Sequence, residues 1–145
     1  MAGAVIIGVG PGIGTSVARR FATAGMPLGL IARTAATVDA ARAAVAAMAG
    51  AGGGTIVITG GMPEPDPAFT SLSLGKAGVR ALTTLLASEY GPAGVHVATV
   101  TVSGAVAPGG RYDPDMIAEH YWRLHTQPPQ AWEHEVIVAP DRVKT

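Results

Sequence analysis

The stretch that most constrains this chain is Ala4-Val5-Ile6-Ile7-Gly8-Val9-Gly10-Pro11-Gly12-Ile13-Gly14, an apolar run that breaks into alternating glycines. Beyond it Ile13, Val17, Ala18 and Phe21 recur at helical spacing, with Arg19 and Arg20 on the opposite side. This order predicts a buried strand, a tight turn and a helix start. Backbone N–H groups at a helix N-terminus, with no side chain in the way, make a site for a phosphate. Gly25 is placed to stop the helix, and Met26 to Ala32 reads as a second short strand with Pro27 near its start. Together these pieces form one β-α-β unit of the mononucleotide-binding kind.

The rest of the chain keeps alternating. Thr37 is a suitable N-cap for a second helix in which Val38, Ala41, Val45 and Met48 share a face and which Gly50 closes. A glycine-rich join leads to a third strand, Thr55 to Thr59. The loop after it carries Pro63, Pro65 and Pro67, which exclude helix and central strand; without flanking basic residues it reads as a rigid connector rather than a polyproline recognition segment. A third helix, about Thr70 to Tyr90, presents Val79, Leu82 and Leu86 on one side and ends at Gly91-Pro92. Val95 to Val102 is nearly continuously apolar, as expected of a strand covered on both faces, and ends at Ser103-Gly104. A helix around Asp115 to Leu124 and a strand, Glu135 to Val138, complete the series.

Such alternation over 145 residues predicts one α/β domain: a Rossmann-like parallel sheet of about five strands flanked by helices, in the order 2-1-3-4-5. Ligands of such sheets sit at the carboxyl ends of the strands beside the switch point, here between strands one and three. The glycine turn lies there.

Ten basic residues balance ten acidic ones, which leaves no charge footprint for nucleic acid or an anionic membrane. Uncharged stretches such as Ala43 to Pro63 are broken by glycine runs and β-branched clusters, so they read as buried strand and not as a membrane span. The absence of cysteine excludes disulfides, thiolate catalysis and zinc–thiolate sites and fits a reducing compartment. With no basic residue ahead of the first apolar run, no secretory signal is expected, and the cytoplasm is the expected location. His120 and His125 are five apart and fall on different helix faces; with His96 and His134 they suggest no metal site. Ile117, Tyr121 and Leu124 form a packing stripe, which with Trp122 and Trp132 reads as a cover over the sheet edge. Tyr112 reads as a surface tyrosine.

Over nearly the whole chain these pieces resemble the short-chain dehydrogenase/reductase family. Gly8-x-x-x-Gly12-Ile13-Gly14 is spaced like that family's cofactor turn, and Gly54 to Gly61 looks like the strand before its active site. Lys76-Ala77-Gly78-Val79-Arg80-Ala81-Leu82 looks like its catalytic helix, and Val95 to Gly104 like the strand that closes over the nicotinamide. The resemblance implies an oxidoreductase acting on a carbonyl or alcohol. Its cofactor would be held by Gly8, Gly12, Ile13 and Gly14, with Lys76 positioning the nicotinamide ribose and the backbone from Gly104 to Val106 facing the nicotinamide. Arg33 follows the second strand, where a guanidinium can meet a ribose phosphate, and Ala32 stands where an acidic residue would hold a free 2′-hydroxyl; this favours NADP over NAD.

The sequence departs from the family in three places. Ile7 replaces the threonine usual before the first glycine. The family's tyrosine, four residues before the lysine, is Leu72 here, and its serine falls at Gly60 or Gly61; the usual proton donor and orienting hydroxyl are both missing. Ser71 and Ser73 are close by, yet a serine hydroxyl is a poor acid near neutral pH without a base beside it. Finally, the two further strands that the family carries before Thr55 are absent, so the third strand here is expected to pair directly with the first. Three functions fit: an NADP-binding oxidoreductase with a small-molecule substrate, free to form an oligomer; a non-catalytic nucleotide-binding or interaction module; and a shortened chain without selected function.

Overall fold

The computed structural model describes residues 4–7, 12–26, 28–31 and 37–139. Five strands, β1 (Ala4–Ile7), β2 (Leu28–Ile31), β3 (Gly54–Gly61), β4 (Val95–Val102) and β5 (Glu135–Val138), form one sheet in the order β2-β1-β3-β4-β5. Every pairing is parallel, so the chain must cross over between strands, and four helices serve as the main crossovers. They are α1 (Ile13–Thr23), α2 (Thr37–Gly50), α3 (Thr70–Tyr90) and α4 (Pro114–Thr126). The strand order is the one expected, and β3 does pair directly with β1, Thr55 opposite Ala4 and Ile58 opposite Ile7.

Because successive side chains of a strand point to opposite faces, β3 and β4 feed two separate cores. Val57, Ala98 and Val100 join Val17 and Phe21 of α1 and Ile117, Tyr121 and Leu124 of α4. On the other face Ile56, Ile58, Val95 and Val97 join Val45 of α2 and Leu86 of α3. The packing stripe expected on the fourth helix is thus buried. Helix ends follow local chemistry. Gly25, at φ +73°, closes the turn after α1 by donating its N–H to the Ala22 carbonyl. Asp113 caps α4, accepting from the N–H groups of Asp115 and Met116, with Pro114 in the first helical position.

Two expectations need correction. The proline-rich loop is not free of helix: Pro67–Phe69 forms a 3-10 turn, because Asp66 accepts from the Ala68 N–H and proline suits the first position of such a turn. Nor does Trp122 cover the sheet edge, whereas Trp132 sits against the part of β4 that β5 does not pair with. Trp122 meets Phe21 edge-on at 5.3 Å between α1 and α4, with the Arg20 guanidinium 4.3 Å from its ring centre. Trp132 stacks on His96 of β4 at 4.8 Å. The reason is His96 itself, a buried residue whose ring nitrogens stand 3.0 Å and 2.8 Å from the carbonyl oxygens of Leu124 and Glu133. These contacts draw the segment after α4 onto β4.

Candidate functional site

β3 and β4 end side by side, Gly61 opposite Val102, at the carboxyl edge where α1 begins. Ile13 of α1, Gly60 and Gly61 at the end of β3, Met62 just after it, and Lys76 of α3 line one side of a cleft of about 310 Å³. Ser103, Gly104 and Val106 after β4 line the other. Four residues singled out in the sequence, Ile13, Lys76, Gly104 and Val106, therefore meet in one place.

Gly12 stands at the head of α1 with φ +110°, a conformation L side chains rarely adopt. Among the described residues a Cβ there would meet only Val106 Cγ1, at 3.9 Å. α1 has no acidic residue in its first turn and no side-chain cap, and Gly14 is buried within that turn. The first backbone N–H groups of such a helix suit an anion. Gly8, Ala32, Arg33 and Pro27 lie outside the described residues.

Lys76 is the only ionisable side chain among the described residues lining the cleft. The structure also separates the two glycines that the family resemblance aligns with a serine. A Cβ on Gly60 would point at β4, 2.8 Å from both Thr101 Oγ1 and Thr99 Cγ2. One on Gly61 would instead sit 3.4 Å from Lys76 Cε and 3.6 Å from its Nζ. Gly61 is the position that faces the lysine. Leu72, one turn before it, is 49% exposed. Ser73 is no substitute for a catalytic hydroxyl: it is buried, donating to the Asp66 carbonyl at 3.1 Å and accepting from the Asp66 N–H at 3.0 Å.

Three residues of this edge escaped the sequence. Ser103 Oγ is buried with no hydrogen-bond partner, the one such side-chain atom among the described residues; following an apolar strand, it reads only as the start of a loop. Met62 has φ +48°, and Arg80 Nη1 donates to its carbonyl at 3.1 Å, a contact across 18 residues that spacing cannot show. Tyr112, expected at the surface, is half-buried and packs on the α1–α4 core. Its ring lies over Gly104, where a Cβ would come within 2.1 Å of Tyr112 Cε2.

Other polar groups serve the fold. Tyr121 is buried, its hydroxyl 2.7 Å from Thr59 Oγ1, and burial pushes the phenol above its usual range. Burial likewise lowers the pKa of His96, despite the carbonyl oxygens of Glu133 and Leu124 that favour its charged form. His120 and His125 are lowered for the same first reason. Among the described residues no group of three histidine, aspartate or glutamate side chains is placed to hold a metal ion, and no helix is long and apolar enough to cross a membrane.

No family model matches the sequence, and neither does any curated protein. Solved structures do match the fold. A short-chain dehydrogenase from Rhodopseudomonas palustris is similar at a TM-score of 0.73 and 20% identity, over 96% of this chain and 98% of that one. A short-chain dehydrogenase from Mycobacterium smegmatis matches at 0.71 and 19%, over 97% and 93% of the two chains. A metagenomic short-chain oxidoreductase solved in complex with NADP matches at 0.67 and 18%, over 95% and 97%. The fold is that of the short-chain dehydrogenases/reductases.

Proposed function

We propose that this protein binds NADP across the start of α1 and acts as an oxidoreductase on a carbonyl or alcohol substrate held in the cleft beside Lys76. The observation that carries this reading is the convergence of Ile13, Lys76, Gly104 and Val106 on one cleft at the carboxyl edge of the sheet. The fold and the NADP-bound fold neighbour support a nicotinamide cofactor.

The backbone of Gly12, Ile13 and Gly14, with Gly8 before them, would hold the pyrophosphate. The structure fits this: Gly12 is in a conformation reserved for glycine and the helix start carries no side-chain cap. Arg33 would meet the 2′-phosphate of NADP, and the backbone from Gly104 to Val106 would face the nicotinamide. When bound, the nicotinamide would supply or receive the hydride, and solvent would exchange the accompanying proton. Lys76 positions the ribose and sets the one positive charge that the described residues bring to the cleft near the substrate oxygen, where negative charge develops during reduction. The partner in this reading is a small molecule, with no part for nucleic acid or membrane, and the protein works in the cytoplasm. Self-association remains compatible with it.

Thermal-shift titration with NADPH, NADP, NADH and NAD, followed by a hydride-transfer assay on a panel of carbonyl compounds, tests the proposal. Stabilisation by NADPH beyond that by NADH, with turnover, is expected. Stabilisation without turnover removes the oxidoreductase reading, and no stabilisation by any dinucleotide removes cofactor binding as well.

A further inference from the structure

Met62 is the one described non-glycine residue with positive φ, at +48°. An unbranched L side chain gains nothing from that conformation, which places Cβ too close to the following carbonyl. Such strain persists only where the surroundings over-determine it, and here the determinant is visible. Arg80, one helical turn beyond Lys76 on α3, directs Nη1 at the Met62 carbonyl oxygen, 3.1 Å away, and at that of Gly61, 3.5 Å away. The second contact is at the limit of a hydrogen bond; the first is an ordinary charge-assisted one. A guanidinium thus ties down the two carbonyls where β3 leaves the sheet. Met62 and Gly61 both line the cleft, as does Lys76 on the same helix as Arg80.

We infer that Arg80 is a positioning residue of the cleft, pinning the Gly61–Met62 turn in a strained conformation so that Met62 is held as a wall beside Lys76. The bond belongs to the backbone, so Arg80 acts through Met62 and needs no contact with a ligand. Both contacts come from one guanidinium nitrogen, Nη1, at the end of a longer side chain than lysine offers, so a lysine keeps the charge but places its donor less well. The ligand arm of this inference rests on the NADP reading above; the conformational arm does not.

The test compares wild type with Met62→Gly, Arg80→Met, Arg80→Lys and the Met62→Gly/Arg80→Met double variant, by thermal denaturation and by NADPH affinity from thermal-shift titration. Glycine accepts φ +48° without strain, so Met62→Gly is expected to raise Tm while weakening NADPH binding roughly three- to ten-fold. Arg80→Met is expected to weaken binding similarly, with Arg80→Lys between it and wild type. In the Arg80→Met background, Met62→Gly should raise Tm by clearly less than in wild type, because an unpinned turn has already released its strain. Equal gains in the two backgrounds, a lower Tm for Met62→Gly, or unchanged affinity in both single variants would each overturn the inference. If wild type shows no response to any dinucleotide, the NADP reading fails, and the Tm comparison alone decides whether Arg80 pins the turn: unequal gains uphold it and equal gains reject it.

Discussion

The side chain of Lys76 reaches past the Cα of Gly61, so that a Cβ added to that glycine would stand 3.6 Å from the lysine nitrogen. Lys76 and Gly61 therefore face each other in one site; Gly60 lines the same cleft, but a Cβ on it would point at β4 instead. Gly61→Ser would meet the flexible end of Lys76 and, at an ordinary contact distance of 3.5 Å, the Val102 carbonyl oxygen, and should cost less than about 1 kcal/mol. Gly60→Ser would drive a side chain into Thr99 and Thr101 of β4 and should cost about 1–3 kcal/mol. Chemical denaturation of the two variants checks this ordering. Combined with Leu72→Tyr at its partly exposed position on α3, Gly61→Ser is expected to increase carbonyl reduction in a reduced-nicotinamide absorbance assay, and Gly60→Ser is not.

Gly12→Val should abolish the thermal response to NADPH. Valine is β-branched and strongly resists the φ of +110° found at the head of α1, and its side chain would stand where the backbone must approach a phosphate. The fold itself should survive, since among the described residues the nearest atom to a new Cβ is 3.9 Å away; circular dichroism of the variant checks that the loss is one of binding.

Gly104→Ala should destabilise by about 1–3 kcal/mol, because its methyl would fall inside the Tyr112 ring as that ring now lies, 2.1 Å from Cε2. The two sites share one space and should be strongly non-additive. Tyr112→Ala alone is expected to destabilise through lost packing, and Gly104→Ala should add almost nothing on top of it. A double-mutant cycle by denaturant titration measures the coupling.

Stability should fall as the solution is acidified below about pH 6.5. Burial holds His96, His120 and His125 below the ordinary histidine value of 6.5, so in the window beneath it the unfolded chain binds more protons than the folded one. Stability then rises with pH and is fully present above 6.5. Neutral His96 has one N–H to donate, to one of the two carbonyl oxygens its ring nitrogens face; a proton would supply the second donor, but desolvation is the larger effect. Thermal denaturation between pH 8 and pH 5 is expected to show a decline in Tm, shallower for His96→Phe than for wild type whatever their absolute values.

Much of this architecture was legible in the residues. Regular alternation of apolar strands with 3.6-residue periodicity marked the five strands and four helices, and Thr70–Tyr90, Val95–Val102 and Glu135–Val138 fall where the pattern put them. Crossover handedness then left few strand orders open, and 2-1-3-4-5 was the simplest. Local chemistry also pointed to the glycines heading α1, whereas Lys76 on α3 and the glycine after β4 entered through the family resemblance.

Pattern and periodicity led to the parallel α/β fold and to the edge of the sheet where a ligand would lie, and the family resemblance aligned Leu72 and one of two glycines with a tyrosine and a serine. Only the tertiary structure decided that Gly61 is the glycine facing Lys76, that Gly104 is glycine because Tyr112 lies on it, and that Arg80 ties down Met62. The physical reason is range. Propensity and periodicity act over a turn of helix or a pair of strand residues, while these three relationships join residues 8 to 18 positions apart, set by where a side chain ends once the helices have settled on the sheet.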